Sequence, residues 1–302
     1  MRQDDRDKYN SKICITSGML SKPKINKRNF LHMAIPPHID WLEDTGETFE
    51  TEDGEIVEVW DLNHADDEDI LLAWAKHFRE HYCADEELPY LIAGTGKTKS
   101  QFLNEIKFPD RLSAPGPSTR SGDFAEILVA DYIEFVLGYW CPRQVRYEDR
   151  MNRNVSTNGC DILGFKFVQE GKIHKNDELF LLESKASFRP TSKNRLQDAI
   201  DDSIKDMTRE AMSLSAIKQR LRRKSLEEAE KVQRFQLEAD RPFRRISGAA
   251  AVLEEEVYDE MELESTDASA HPNVDNLRLI VIKGISMMNL VHKLYEVAAD
   301  EA

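Results

Sequence analysis

The sequence predicts an α/β protein, a mixed sheet flanked by helices, with an α+β extension at the N-terminus. Three observations carry that prediction. Residues 161–168 (DILGFKFV) and 178–185 (ELFLLESK) are rich in Ile, Leu, Phe and Val, and a polar, glycine-bearing segment separates them, so they read as a hairpin. Residues 277–283 (LRLIVIK) are apolar on both faces, as a central or well-covered strand requires. Apolar residues recur at helical spacing over 66–83 and 287–298.

The 302 residues suffice for one large domain or two small ones, and 40% hydrophobic content is enough for a core. Residues 1–11 are polar, 12–17 (KICITS) reads as a short strand, and the apolar stretch 29–42 is interrupted by Pro36-Pro37. Residues 55–62 (EIVEVWDL) alternate like a strand. The helix over 66–83 opens with acids and places Ile70, Trp74, His77, Phe78 and His81 on one side. Residues 94–98 (GTGKT) resemble the tail of a phosphate-binding loop, but Leu91 stands where the motif needs glycine, so a solvated turn is expected. His77 and His81 have zinc-compatible spacing with Cys83 near; HFREH lacks the glutamate of a zinc protease, and a partly buried polar face is the expectation.

Residues 108–120 (FPDRLSAPGPSTR) hold three prolines and a glycine. The expected organisation is therefore a module over 1–110, a linker over 111–121 and a second domain over 122–302. In that second domain, 122–137 is a helix burying Phe124, Ile127, Leu128, Tyr132 and Phe135, and 141–147 (CPRQVRY) is the first strand of its sheet. A helical region is expected over 194–235, a strand over 243–253, an acidic surface segment over 254–264, and the strand and closing helix already named.

Four residues point to chemistry. A hairpin centred near Lys172 sets Asp161 opposite Glu183, and period-two alternation puts Glu183 and Lys185 on one face with Ser184 turned away. Glu126, one turn into its helix, approaches from the side. Carboxylate oxygens suit Mg²⁺, or Mn²⁺, which polarises a phosphoryl group and generates hydroxide from bound water. A lysine beside them positions that water or stabilises transition-state charge. Asp161, Glu183 and Glu126 are the expected metal ligands, and Lys185 completes the set. An isolated E-x-K is common as a mere salt bridge; the full order of helix Glu, strand Asp and strand E-x-K is much rarer.

At these residues the chain resembles the PD-(D/E)xK nuclease superfamily. More narrowly, GDFAEILVADY, NGCDILGF and LFLLESKAS are similar to the HamA family, nuclease subunits of the Hachiman anti-phage system, over 122–187. Cys160 stands where the superfamily motif has Pro, and Gln197 is followed four residues on by Asp201 rather than the Tyr of the RecB-like subgroup. The resemblance implies a restriction-endonuclease-like core, a DNA nuclease, and a complex with a HamB-like superfamily 2 helicase that senses DNA and controls it. The alternatives are a restriction- or repair-type nuclease acting without a helicase, and a non-catalytic subunit on a degenerate nuclease fold.

Charge fits delivery of DNA by a partner. The net charge is −15, and residues 1–110 hold 13 Lys+Arg against 23 Asp+Glu. Affinity for DNA comes from phosphate neutralisation, so contacts are expected from local basic residues instead. Candidates are Arg150 and Arg153 before Asp161, Arg189 and Lys193 after Lys185, and the helical cluster of Lys218, Arg222 and Arg223. Cys14, Cys83, Cys141 and Cys160 form no metal or disulfide pattern. The N-terminus is unlike a signal peptide and no apolar run reaches membrane-spanning length, so a reducing cytoplasm is the expected compartment.

Overall fold

The computed structural model describes residues 34–143, 146–157 and 159–302. The expected strand at 12–17 and Cys14 lie outside the described residues. In chain order the elements are β1 (Leu42–Glu50), β2 (Ile56–Leu62), α1 (Glu68–Arg79), α2 (Leu88–Ile92), α3 (Lys99–Phe102), α4 (Gly116–Asp131), β3 (Ile162–Lys166), β4 (Glu178–Ser187), α5 (Arg195–Lys224), α6 (Leu226–Gln233), β5 (Arg244–Glu254), α7 (Glu260–Glu264), β6 (Leu277–Gly284) and α8 (Met287–Asp300).

The six strands form one mixed sheet in the order β1-β2-β6-β5-β4-β3. The outer pairs β1–β2 and β3–β4 are antiparallel, and β2, β6, β5 and β4 run parallel. Alternation along β4 sorts its side chains to two layers. Phe180 and Leu182 pack with α1, α4 and α8, whose contributions include Trp74, Phe78, Phe124, Leu128 and Leu294. Leu179 and Leu181 pack with Leu214 and Ile217 of α5 and Val232 of α6. The sheet is thus covered on both faces, which is why β6 is apolar on both faces from Leu279 to Ile282.

That apolar β6 also explains a correction. Residues 34–302 lie in one compact unit, and β2 pairs directly with β6. A strand buried on both faces needs a hydrogen-bonded neighbour at each edge, and β2 supplies the second one. The residues expected as a separate N-terminal module therefore contribute two strands to the common sheet. The expected linker is partly helical: α4 begins at Gly116 and continues past Asp131 through a π-turn at Tyr132–Val136.

Four further points differ from the sequence reading. The acidic strand β1 was not anticipated, because only Leu42 and Phe49 of its nine residues are buried. Residues 141–147 do not form a strand among the described residues; Trp140 makes an isolated bridge to Phe165 instead. The long helical region breaks at Ser225, whose extended backbone ends α5 and whose side chain accepts from Glu228 N at 3.2 Å to cap α6. The acidic stretch after β5 begins with a structural residue: Glu254 Oε2 accepts from Met287 N at 2.8 Å, at the N-terminus of α8.

Gly248 of β5 shows how closely the strand beside β4 is packed. A Cβ there would stand 2.6 Å from Phe180 Cε2 and 2.8 Å from Leu182 Cδ1. Gly248→Ala is expected to destabilise the protein by roughly 1–3 kcal/mol through overpacking. Urea denaturation of the two proteins checks this; equal midpoints would show that the sheet yields freely here.

Candidate active site at the end of the sheet

The antiparallel pairing of β3 and β4 runs from Lys166↔Glu178 to Ile162↔Leu182. Extending it by one residue sets Asp161 opposite Glu183, the register expected from the hairpin. A glycine prepares this end of β3. Gly159 has φ +107°, and a Cβ on it would stand 2.8 Å from Ser213 Oγ of α5. The close approach lets Cys160 N donate to Ser213 Oγ at 3.0 Å. A proline at position 160 has no N–H to give, so the departure from the superfamily motif has a local reason. Asp161 Oδ2 then accepts from Ser184 N at 3.1 Å, which pins the side chain across the strand pair.

Glu126 comes from the helix layer that packs on the other face. It is 8% exposed, and its Oε2 accepts from Arg146 Nε at 3.1 Å and from Tyr147 OH at 2.9 Å. Arg146 also donates to Cys160 O at 3.2 Å. One guanidinium thereby ties the helix acid to the residue preceding the strand acid. Glu126, Asp161, Glu183 and Lys185 line a single cavity of about 980 Å³.

Helix α5 supplies residues that the sequence reading did not single out. Lys185 Nζ lies 2.7 Å from Asp202 Oδ2 and 3.4 Å from Glu183 Oε2. Asp206 is 1% exposed, and neither of its oxygens accepts a hydrogen bond. Glu183 is 2% exposed and its Oε1 is equally unpartnered. The one available signal was periodic: Asp206 occupies the buried stripe of α5 with Ala199, Ser203 and Ser213, where an apolar or small residue belongs.

These carboxyls sit close together, Glu126, Glu183 and Asp206 buried and Asp161 half-buried. Burial, then the charge of Glu183, pushes Asp161 up to about 8. Burial and Asp206 push Glu183 up to about 7, and burial and Asp161 push Glu126 up to about 7. Asp206 rises to about 6, chiefly through burial. Asp161 and Asp206 each act on the titration of Glu183, so the three carboxyls titrate together rather than singly. Burial opposes the charge on Lys185, but its bond to Asp202 and the charges of Asp161 and Glu183 outweigh this and hold its pKa above the usual lysine value. Buried oxygens without donors, facing other carboxylates, fit a divalent cation.

The expected nucleic-acid contacts divide. Arg150 is not available: it makes two bonds to Asp123, at 2.7 and 2.8 Å, and lies over the Tyr147 ring. Arg153 is bonded to Phe108 O at 3.0 Å and Asp110 Oδ2 at 2.8 Å. Both arginines serve the fold, because their guanidinium groups are committed to the buried Asp123 and to Asp110 and the Phe108 carbonyl. Lys218 donates to Gln236 Oε1 at 2.9 Å. Arg189 lines the cavity and is exposed, as are Lys193, Arg222 and Arg223, although Arg223 lies 3.5 Å from Asp149. Arg195 and Arg209 also line the cavity.

His77 does not pair with Cys83. His38 Nε2 and His77 Nε2 lie 2.9 and 2.8 Å from the two oxygens of Asp131, which Arg143 also contacts. The three ligand atoms lie within 4.8 Å of one another, a spacing open to a metal. With three donors on one carboxylate, the cluster is already satisfied as a buried charge network. Cys83 and Cys141 are buried and unpaired, and Leu91 leaves GTGKT as a turn whose Thr98 caps α3.

A family model described as HamA matches residues 36–298. It spans the N-terminal strands as well as the acid cluster. No curated protein matches the chain.

Two predictions follow from these charges. The raised pKa of Asp161 means the fold favours its protonated form. That stability is complete below its unfolded value of about 4 and is lost as pH rises. In metal-free protein, the stability of wild type relative to Asp161→Asn should therefore fall steadily from pH 4 to about 8, where Asp161 titrates in the fold. Thermal melts in a chelator at several pH values measure it; a constant difference would contradict the burial of this carboxyl. Arg150→Ala leaves Asp123 buried without its ion pair and should cost about 3–5 kcal/mol of stability. Denaturant unfolding checks the size, and an unchanged midpoint with weakened DNA binding would restore Arg150 to a contact role.

Proposed function

This chain belongs to the HamA family of Hachiman anti-phage defence, and from that premise we propose that it is the nuclease of the system. The reaction is metal-dependent hydrolysis of a DNA phosphodiester. The observation that carries this reading is one cavity floored by Glu126, Asp161 and Glu183 beside Lys185, with a buried Glu183 oxygen that no donor satisfies. The same arrangement supports a PD-(D/E)xK-like core for this sheet.

Asp161, Glu183 and Glu126 are the residues that hold Mg²⁺ or Mn²⁺. A divalent ion there supplies Lewis acidity toward the phosphoryl oxygen and lowers the pKa of a bound water. Lys185 keeps its proton, since Asp202 holds the ammonium, and so contributes positive charge rather than a base. Arg146 and Tyr147 orient Glu126, which lines the cavity, through its Oε2 alone. The exposed Arg189 and Lys193 continue a basic margin where a DNA backbone lies. We assign control of the activity to a HamB-like superfamily 2 helicase in complex with this chain. Among the described residues no helix is long and apolar enough to cross a membrane.

The non-catalytic alternative is disfavoured because a degenerate site has no need to keep donor-starved acids buried, each at a cost of several kcal/mol. The full chain, purified with and without the helicase, is expected to degrade plasmid DNA in Mg²⁺ and not in a chelator. Glu183→Ala and Lys185→Ala should each abolish cleavage while circular dichroism and melting show an intact fold. Cleavage that survives in Glu183→Ala would refute the assignment.

A further inference from the structure

One arginine at the site differs from its neighbours. Arg143, Arg146 and Arg150 commit their donors to Asp131, Glu126 and Asp123. Arg209 hydrogen-bonds to none of the described residues. Its Nη1 stands 3.7 Å from Glu183 Oε1 and 3.8 Å from Asp206 Oδ1, beyond bonding distance of both. Its side chain is 37% exposed and forms part of the cavity wall with Asp161, Glu183 and Lys185. A complete fork of N–H donors is thus kept beside the acids by charge alone.

The placement follows from helical spacing. Asp202, Asp206 and Arg209 stand at i, i+4 and i+7 on α5 and share one face. That face meets the end of β4. Asp202 takes the ammonium of Lys185, Asp206 is buried beside Glu183, and Arg209 reaches past both to the cavity.

We infer that Arg209 is a catalytic residue: its guanidinium binds a non-bridging oxygen of the scissile phosphodiester and stabilises the charge that grows there. The inference rests on the hydrolytic reading given above. A planar fork matches two phosphate oxygens, which a lysine cannot do, and Lys185 is already held by Asp202 at 2.7 Å. In the hydrolysis, the oxygen of water bonds to phosphorus as one P–O ester bond breaks. One proton of that water ends on the leaving oxygen and the other passes to solvent. Arg209 stays charged throughout and transfers neither proton nor electron pair.

The test compares full-length wild type, Arg209→Ala, Arg209→Lys and Glu183→Gln on plasmid DNA in Mg²⁺. Mn²⁺ binding is followed by electron paramagnetic resonance, and the melting midpoint is measured alongside. Arg209→Ala should lose about 100-fold or more in kcat, the usual cost of one transition-state donor, with KM little changed. Arg209→Lys should fall between. Mn²⁺ binding and melting should match wild type, and added methylguanidinium should restore part of the Arg209→Ala rate but none of that of Glu183→Gln. Wild-type turnover in Arg209→Ala overturns the inference and leaves the nuclease reading standing. So does a loss that comes with impaired Mn²⁺ binding and is not relieved by methylguanidinium, which marks Arg209 as a structural counter-ion. Absence of Mg²⁺-dependent cleavage in wild type sinks the nuclease reading itself.

Discussion

Three carboxylates buried on one helix are the constraint around which this structure is arranged. Asp123, Glu126 and Asp131 all project from α4, and each is less than a tenth exposed. An unpaired carboxylate in such surroundings costs several kcal/mol. The chain meets the cost with a row of arginines from the following segment: Arg150 for Asp123, Arg146 for Glu126 and Arg143 for Asp131. The order of the arginines is the reverse of the order of the acids, so the segment runs back along the helix. Among its described residues it forms no strand, and paired charges hold it in register.

The same comparison separates acids satisfied within the fold from acids left without donors. Asp123 and Asp131 have donors on both oxygens: Tyr82 and Arg150 for the first, two imidazoles and Arg143 for the second. Among the described residues Glu126 has donors on one oxygen only. Glu183 has one oxygen with no donor, and Asp206 has two. Satisfaction therefore declines from the body of α4 toward the end of β4, and the deficit falls where the cavity lies. One cation near that deficit is equally uncommitted: Arg209 stands beside two carboxylates and bonds neither. Under-satisfied buried charge is expensive in isolation, and it persists where a ligand completes it.

How much of this could be read from the sequence depended on whether the signal was local. The β3–β4 register was legible because hairpin pairing follows from loop position, and it set Asp161 opposite Glu183. Strand β6 was legible because a run of apolar residues has few other uses. Strand β1 was not: with Glu43, Asp44, Glu47 and Glu50 exposed on an edge, its only apolar marks are Leu42 and Phe49. The unity of the sheet was hidden as well, because the β2–β6 pairing joins residues more than two hundred positions apart. Arg150 and Arg153 were misjudged for a related reason. An arginine near a site in sequence is equally compatible with phosphate or with a buried acid, and only the burial of Asp123 and the packing of Asp110 decide between them.

The acidity of the chain acquires a meaning from strand order. Residues 40–69 hold 14 Asp and Glu and no Lys or Arg, and they include both β1 and β2. Strand β1 is at one edge of the sheet, and the cluster lies at β3 and β4 toward the other. Four strand spacings separate β1 from β4, about 19 Å at 4.8 Å per spacing. That is roughly twice the screening length at physiological salt, so the repulsion of DNA by the acidic edge fades before it reaches the cavity. Along an exposed edge the same charges discourage pairing with another chain's strand. A net charge of −15 is therefore compatible with the proposed phosphodiester site: the negative edge and the cavity with its basic margin occupy opposite sides of one sheet, and what DNA would meet under that proposal is set by Arg189, Arg195, Arg209 and Lys185 rather than by the total.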